Sequence, residues 1–404
     1  MAYLLIVLLD GVALFGHGAL WVTLINRLNS YAVSHRILRW LNRLALLLCI
    51  GLAVWIVIWF VLTDLTAVTE ERGGFFASVL YYFPAYIGAS WVMAAWTSAV
   101  WLIRWLSDGR RVGIRSEKSK LLDLQKQTGE DLAGNRTIAW ISRFPGNQIF
   151  QLEVRELELE VPGLPAKLDG FSIVHLSDLH LAGHVRQPFY DEAVRQVNEL
   201  AGDIVVIAGD ILDRSKCLPW LEPTLGKLTA RYGVFFVLGN HEHRGCPPEE
   251  IRQRLTGCGL IDLGGTHHLL SLEGGQVLLV GNESPWELPP TPVEQLPIAP
   301  DSAAALTIVL SHAPDQITWA AHHGFDLLLA GHTHGGQFRL PLFGPLLAPS
   351  RFGVRYAGGT FRRGSTLMHV SRGLCGMRPA RFNCRPELTK LILRKASEDT
   401  AAGA

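Results

Sequence analysis

The first 106 residues contain no lysine and only ten charged side chains, six Arg and four Asp or Glu; the other 298 residues hold 63. Charged residues make up 18% of the whole chain, against about a quarter in an ordinary soluble domain. A net charge of +1 lacks the strongly basic domain of nucleic-acid binders, so no nucleic-acid partner is expected. The six cysteines form no C-x-x-C pair and follow no framework spacing, which excludes a small disulfide scaffold and suits a reducing compartment. A hydrophobic content of 49% excludes disorder.

In place of charge there is apolar length. Tyr3–Ile25 is broken only by Asp10, His17 and Thr23, Leu44–Leu62 carries no charge, and Phe75–Leu106 is apolar until Arg104, with Pro84 inside it. A membrane span takes about 20 such residues, so the first two runs fit one helix each. The third reads as a span over Tyr86–Leu106 with an interfacial lead-in over Phe75–Phe83. Trp21, Trp40, Trp101 and Trp105 lie near run ends, where amphipathic rings favour the headgroup layer. The first run has no basic leader or small-residue cleavage site, and further spans follow it, which argues against a signal peptide. Residues 1–106 are therefore expected to be a membrane section of about three transmembrane helices.

Orientation follows from the short connections. The first carries Arg27, Arg36, Arg39 and Arg43 without an acid; the second, Thr63–Gly74, carries Asp64, Glu70 and Glu71 with one Arg72. Arg110, Arg111, Arg115, Lys118 and Lys120 follow the third run. Positive-inside bias places the first connection and everything after residue 106 in the cytoplasm, in a bacterial inner membrane. Two re-entrant passes in the third run would reverse this. Asp10 and His17 are either functional intramembrane groups or residues facing a partner helix.

Residues 107–147 read as a linker, in which Glu117–Leu132 is either a short amphipathic helix under the membrane or solvated chain. The catalytic section is expected over 148–395, with a tail at 396–404. Strict alternation in Ile149–Val161 marks a half-buried strand. Five short apolar runs follow, each closing in polar residues: Phe171–Leu176, Ile204–Ala208, Val234–Leu238, Leu306–Leu310 and Leu327–Ala330. Helical stretches such as Phe189–Ala201 and Glu249–Cys258 lie between them. Strands buried on both faces and interleaved with helices mean a layered α/β domain, whose ligands sit beyond the strand carboxyl ends.

Those ends supply Asp178, His180, Asp210, Asn240, His241, His312, His332 and His334. Carboxylate, imidazole and amide without thiolate suit Mn, Fe or Zn, and there are ligands enough for two ions if one carboxylate bridges them. Singly each motif is weak; together, in order and always after an apolar strand, they are specific. D-x-H (Asp178, His180), G-D-x-x-D (Gly209–Asp213), G-N-H-E (Gly239–Glu242), a strand-end His312 and G-H-T-H (Gly331–His334) resemble the calcineurin-like metallophosphoesterase superfamily over about residues 150–395. The tail H-T-H-G-G-Q-F-R-L-P and the stretch Ser371–Leu388 look like its bacterial membrane-associated branch. That branch includes a cell-envelope phosphodiesterase and the UDP-diacylglucosamine hydrolase of lipid A synthesis.

The resemblance implies a four-layer sandwich of two mixed sheets flanked by helices. It implies Asp178, His180 and His334 on one divalent ion, Asn240, His312 and His332 on the other, Asp210 bridging them, and His241 protonating the leaving group. Manganese is the expected metal, iron or zinc the alternatives, and a hydroxide activated between the ions would cleave a phosphodiester or pyrophosphate. Asp213 is read as fixing its loop rather than binding metal. His175, His184, His243, His267, His268, His322, His323 and His369 read as ordinary core or surface histidines, with His184 and His243 near enough in sequence to touch substrate. Arg339, Arg351, Arg355, Arg362, Arg363, Arg372 and Arg378 either meet a phosphate or form a solvated face. Anchoring suggests the membrane as partner and a phosphorylated small molecule or lipid as substrate. The competing readings are a lipid A-type pyrophosphohydrolase and a non-enzymatic sensor or transport component. Three helices with two polar residues and no inverted repeat argue against a transport path.

Overall fold

The structure, a computed structural model, describes residues 2–66, 75–107, 112–300, 305–376 and 380–396. Glu70, Glu71, Arg72, Arg110, Arg111, Arg378 and nearly all of the 396–404 tail, which entered the sequence reading, lie outside these residues. The chain divides into two units, Met1–Asp108 and Gly109–Ala404.

Unit 1 holds helices α1 (Ala2–Leu28), α2 (His35–Thr66) and α3 (Phe75–Ser107). Each contains a stretch long and apolar enough to cross a membrane: Leu8–Leu28, Arg36–Ile58 and Pro84–Ile103. The expected break between an interfacial lead-in and the third span is not seen. α3 continues through Pro84 as a single 33-residue helix. Proline is tolerated in such helices where neighbouring groups satisfy the freed carbonyl. Within the unit, Ala13, Ile56 and Ile87 form an apolar knot between the three helices. His17 is buried there: its Nε2 lies 2.8 Å from the Cys49 carbonyl and its Nδ1 2.6 Å from the Tyr86 hydroxyl. A carbonyl can only accept, so Nε2 donates and Nδ1 accepts from Tyr86. Of the two readings of His17, the structure favours the residue facing partner helices.

Unit 2 begins earlier than expected. Residues 107–147 carry strand β1 (Ile114–Asp123) and helices α4 (Leu124–Thr128) and α5 (Arg136–Ser142) instead of a linker or an amphipathic helix. β1 pairs antiparallel with β2 (Gln151–Val161). Its side chains from Arg115 to Leu121 are exposed on both faces, so it shows no alternation, while Leu122, Leu124 and Leu132 join the core. The remaining strands are β3 (Ser172–Leu176), β4 (Ile204–Ala208), β5 (Val234–Val237), β6 (Ile261–Asp262), β7 (His267–Leu272), β8 (Gly275–Asn282), β9 (Ala305–Ser311), β10 (Leu327–Ala330), β11 (Arg339–Leu340), β12 (Gly344–Pro345), β13 (Gly359–Arg363), β14 (Thr366–Val370) and β15 (Glu387–Lys395). The remaining α-helices are α6 (Gln187–Leu200), α7 (Leu221–Leu225), α8 (Pro248–Gly257) and α9 (Ile317–His322).

Two mixed sheets result, ordered β1-β2-β15-β3-β4-β5-β6 and β13-β14-β10-β9-β8-β7, with β11 and β12 pairing as a separate ribbon. Period-two alternation sorts the core. Val174, Leu176, Val205 and Ile207 face the layer of α4 to α8, whereas Ile173, Ile204 and Val206 meet Leu279, Ile308 and Leu329 between the sheets. Leu278, Val309 and Leu328 pack against α9. This is the expected four-layer sandwich. β3, β4 and β5 run parallel, as do β8, β9, β10 and β14, so their carboxyl ends collect at one end of the sandwich.

Candidate metal centre

Each polar cluster begins where a strand stops, and the backbone there bends in an unusual way. Asp178, His180, Asp210, His332 and His334 all have φ between 50° and 73°. L-residues adopt this region at a cost on the order of 1 kcal/mol or more, and such outliers gather at functional sites. The bends turn five side chains toward one point. Two glycines make room for them: a Cβ on Gly239 would sit 2.4 Å from Asp210 Oδ1, and one on Gly331 2.6 Å from Asp178 Oδ2.

Asp210 lies in the middle. Its Oδ2 is 3.2 Å from His312 Nε2, 3.5 Å from His180 Nε2 and 3.8 Å from His241 Nε2, yet it is buried and accepts no aligned hydrogen bond. On one side, Asp178, His180 and His334 complete a set of ligand atoms with Asp210; on the other, His312 and His332 do so. His334 Nε2 is 3.6 Å from Asp178 Oδ1 and 3.3 Å from His180 Nε2, and His332 Nδ1 is 3.1 Å from His312 Nε2. Asn240 Oδ1, buried and without a partner, fits a further ligand oxygen. Buried polar atoms are ordinarily satisfied; Asp210 Oδ2, Asn240 Oδ1 and His332 Nε2 are not, and ligand atoms crowded on two adjoining points fit two divalent cations. The residues of the D-x-H, G-D, G-N-H, strand-end His and G-H-T-H motifs are thus brought together.

The outer atoms of the rings are held in place. His312 Nδ1 donates to the Ala208 carbonyl at 2.7 Å, and His334 Nδ1 to the Cys375 carbonyl at 3.2 Å. Asp213 Oδ1 accepts from both His180 Nδ1, at 3.0 Å, and His241 Nδ1, at 2.7 Å. Such partners set ring orientation and aim the opposite nitrogen inward. Ser177 Oγ and the His332 backbone N–H donate to Asp178, and the His241 N–H donates to Asp210 Oδ1.

Electrostatics follow the same pattern. Burial opposes charge on His180 and His312, but Asp213 in the first case and Asp210 in the second lift them to about 9. Asp210 is buried yet held well below the usual carboxylate range by His241 and His312. Burial lowers His241 from its ordinary value, against Asp210. The carboxylates here attract positive charge strongly, and a dication competes with protons for the same atoms.

Some of the site was not foreseen. Glu242 is fully buried and accepts the N–H groups of Ile211 (2.5 Å) and Gly239 (2.8 Å), tying together the two loops that carry Asp210 and Asn240. Burial, reinforced by Asp210, raises it to about 8. Trp286 lies with its ring 4.6 Å from His332 and 5.8 Å from His312, although no motif surrounds it. Arg381 is wholly buried and donates to the Cys375 carbonyl, the same oxygen that orients His334. Among the histidines read as ordinary, His175 and His369 form a buried pair, Nδ1 to Nδ1 at 2.9 Å, and His243 pairs with Glu287 at 2.5 Å. Arg372 is neither solvated nor free for phosphate: it is paired with Glu387 and Glu153.

Comparison with known proteins agrees. Residues 171–336 match the family model of calcineurin-like phosphoesterases. The chain is 31% identical over 250 residues to "Uncharacterized metallophosphoesterase YkuE" of Bacillus subtilis, covering 61% of this chain and 87% of that one. It is also 31% identical over 229 residues to "Phosphodiesterase YaeI" of Escherichia coli, covering 55% and 82% respectively. A protein of Bos taurus named "Transmembrane protein with metallophosphoesterase domain" is 31% identical over 263 residues, 60% of this chain and 57% of that one. Strand-end carboxylates and imidazoles on a four-layer sandwich and matches across most of two such proteins lead to one conclusion: this chain belongs to the calcineurin-like metallophosphoesterases, hydrolases of phosphoric esters.

Proposed function

We propose that the chain is a membrane-anchored, two-metal phosphoesterase that hydrolyses a phosphodiester or pyrophosphate bond. The observation that carries this reading is the Oδ2 atom of Asp210, buried among three imidazoles without an aligned hydrogen bond. Asp178, His180 and His334 would hold one ion, Asn240, His312 and His332 the other, with Asp210 shared. Two divalent ions there would draw charge from the phosphoryl oxygens and lower the pKa of a water between them, manganese being the preferred metal. His241 faces the same point through Nε2, with Nδ1 donating to Asp213. Asp213 steadies the imidazolium form, so His241 gives the leaving oxygen its proton. Tethering by unit 1 favours a substrate carried in the bilayer. The arginines of the first connection and the acids of the second favour a cytoplasmic site in a bacterial inner membrane.

The test uses the full chain in detergent, with bis(p-nitrophenyl) phosphate and the monoester side by side, before and after chelation and readdition of Mn. Metal-dependent cleavage, faster on the diester and lost in Asp210→Ala, is expected. A folded chain that binds two ions yet cleaves neither ester with Mn, Fe, Zn or Mg would overturn the enzymatic reading. Alkaline phosphatase fused at the C-terminus should be inactive; activity there would refute the orientation.

A further inference from the structure

The chain enters unit 2 at the end of the sheets remote from the metal centre. Ile114 pairs with Leu159, whereas Asp123 pairs with Gln151, next to the strand ends that bear the ligands. β1 therefore runs as an edge along the sandwich for about 33 Å, at 3.3 Å per residue over its ten residues. Six residues, 108–113, separate it from α3, a reach of about 25 Å at most.

This edge carries Arg115, Lys118 and Lys120, all exposed, with Glu117 between them paired to Arg155 and Glu156 opposite Lys118. At its far end lies the β11–β12 ribbon, with Phe338, Leu340, Leu342, Phe343, Leu346 and Leu347 between 43% and 86% exposed. The ribbon is fixed beside the β2 end: Phe338 and Asn147 both bridge to Phe382, and the Phe338 and Phe382 rings stack at 5.4 Å. Trp140, 64% exposed, and Phe144 extend the apolar surface from the segment that leads into β2, their rings 4.9 Å apart. Large apolar side chains gathered in one exposed place mark a site of association. Aromatic and aliphatic tips next to basic residues suit an anionic bilayer surface, where each Lys or Arg strengthens attachment about fivefold.

We infer that unit 2 lies on its β1 edge against an anionic bilayer, with the 338–347 ribbon inserted at the base of the headgroup layer. The inference rests on the reading of α1–α3 as membrane spans. It reconciles a tether at one end of the edge with an apolar ribbon at the other. A domain standing on its tether would hold the ribbon away from lipid; lying down, it brings both to the surface. Phe338 follows His334 by four residues, so the metal centre is carried to the depth of lipid phosphates, and the substrate class becomes phosphoesters still seated in the bilayer.

The test is depth quenching in the full chain reconstituted into nanodiscs containing phosphatidylglycerol. Bimane on Leu342→Cys reports the ribbon, and bimane on Ile50→Cys, within α2, reports the span. The parent chain, labelled identically, sets the background from native cysteines. Nitroxide on the upper acyl chain should at least halve the emission of both probes. Replacing Arg115, Lys118 and Lys120 together with Gln should weaken docking on the order of a hundredfold and restore the Leu342→Cys emission while leaving Ile50→Cys quenched. If Ile50→Cys is quenched and Leu342→Cys is not, the docking is refuted and the spans stand. An unquenched Ile50→Cys refutes both. A blue-shifted but unquenched Leu342→Cys means that a second copy of the chain covers the ribbon, which also overturns the lipid assignment.

Discussion

Asp213 offers the sharpest test of how the centre is held, because one oxygen serves two rings. His180 Nδ1 and His241 Nδ1 both donate to Oδ1, at 3.0 and 2.7 Å, with the carboxylate only 8% exposed. Asp213→Ala leaves two buried donors unanswered, at about 1–3 kcal/mol each. It also frees both rings to turn. Loss of such a partner typically weakens metal affinity about 10–100-fold, and an unsteadied general acid forfeits part of a contribution of about 10²–10⁴. Asp213→Asn keeps an oxygen where both rings donate but loses the charge, so it should fall between wild type and Asp213→Ala. The assay is competitive Mn titration against a chelator, with kcat and KM for bis(p-nitrophenyl) phosphate on the same samples. One of the two Mn equivalents should weaken in Asp213→Ala, with kcat falling far more than KM rises. A folded Asp213→Ala chain with two wild-type Mn affinities and wild-type kcat would refute the argument.

Other expectations follow from the fold and the site. A fragment of residues 112–404 should be soluble, whereas 148–404 should aggregate. The shorter piece loses β1 and removes Leu122, Leu124, Leu132 and Ile138 from the core, at about 1.5–3 kcal/mol each, against a typical total stability of 5–15 kcal/mol; equal solubility would refute this. Gly239→Ala sets a Cβ 2.4 Å from Asp210 Oδ1, so metal analysis should find less than two ions per chain and activity at least about a hundredfold down. Burial lifts Asp326 to about 6 despite hydrogen bonds from Thr307, above about 4 in the unfolded chain. Between these values the unfolded chain sheds a proton that the folded one keeps, so stability falls as pH rises from 4 to 6, by up to about 3 kcal/mol. Denaturant midpoints across that range should show the slope, and Asp326→Asn should flatten it.

Legibility in the sequence tracked burial. Strands β4 and β10 are buried on both faces and therefore read as unbroken apolar runs with the expected bounds. The residues just beyond them were legible for the same reason, since polar side chains abutting such runs have few explanations. β1 was not legible: an edge strand exposed on both faces has no alternation to read. Trp286 and Arg381 reach the centre through chain crossings, the first from the loop after β8 and the second from the segment before β15, and neither sits in a local pattern. The pairing of His175 with His369 arises only when β3 and β14 face each other across the sheets.

The left-handed bends at Asp178, His180, Asp210, His332 and His334 have a consequence for the life of the protein as well as for its chemistry. A chain that folds into five uncomfortable joints holds a loaded spring at the mouth of its sandwich. Cations held there would act as the catch on that spring, since a ligand bound by the native state alone stabilises it by an amount that grows with the logarithm of its concentration over Kd. Starvation for metal would thus make the molecule shorter-lived, with proteases entering first at these strand ends.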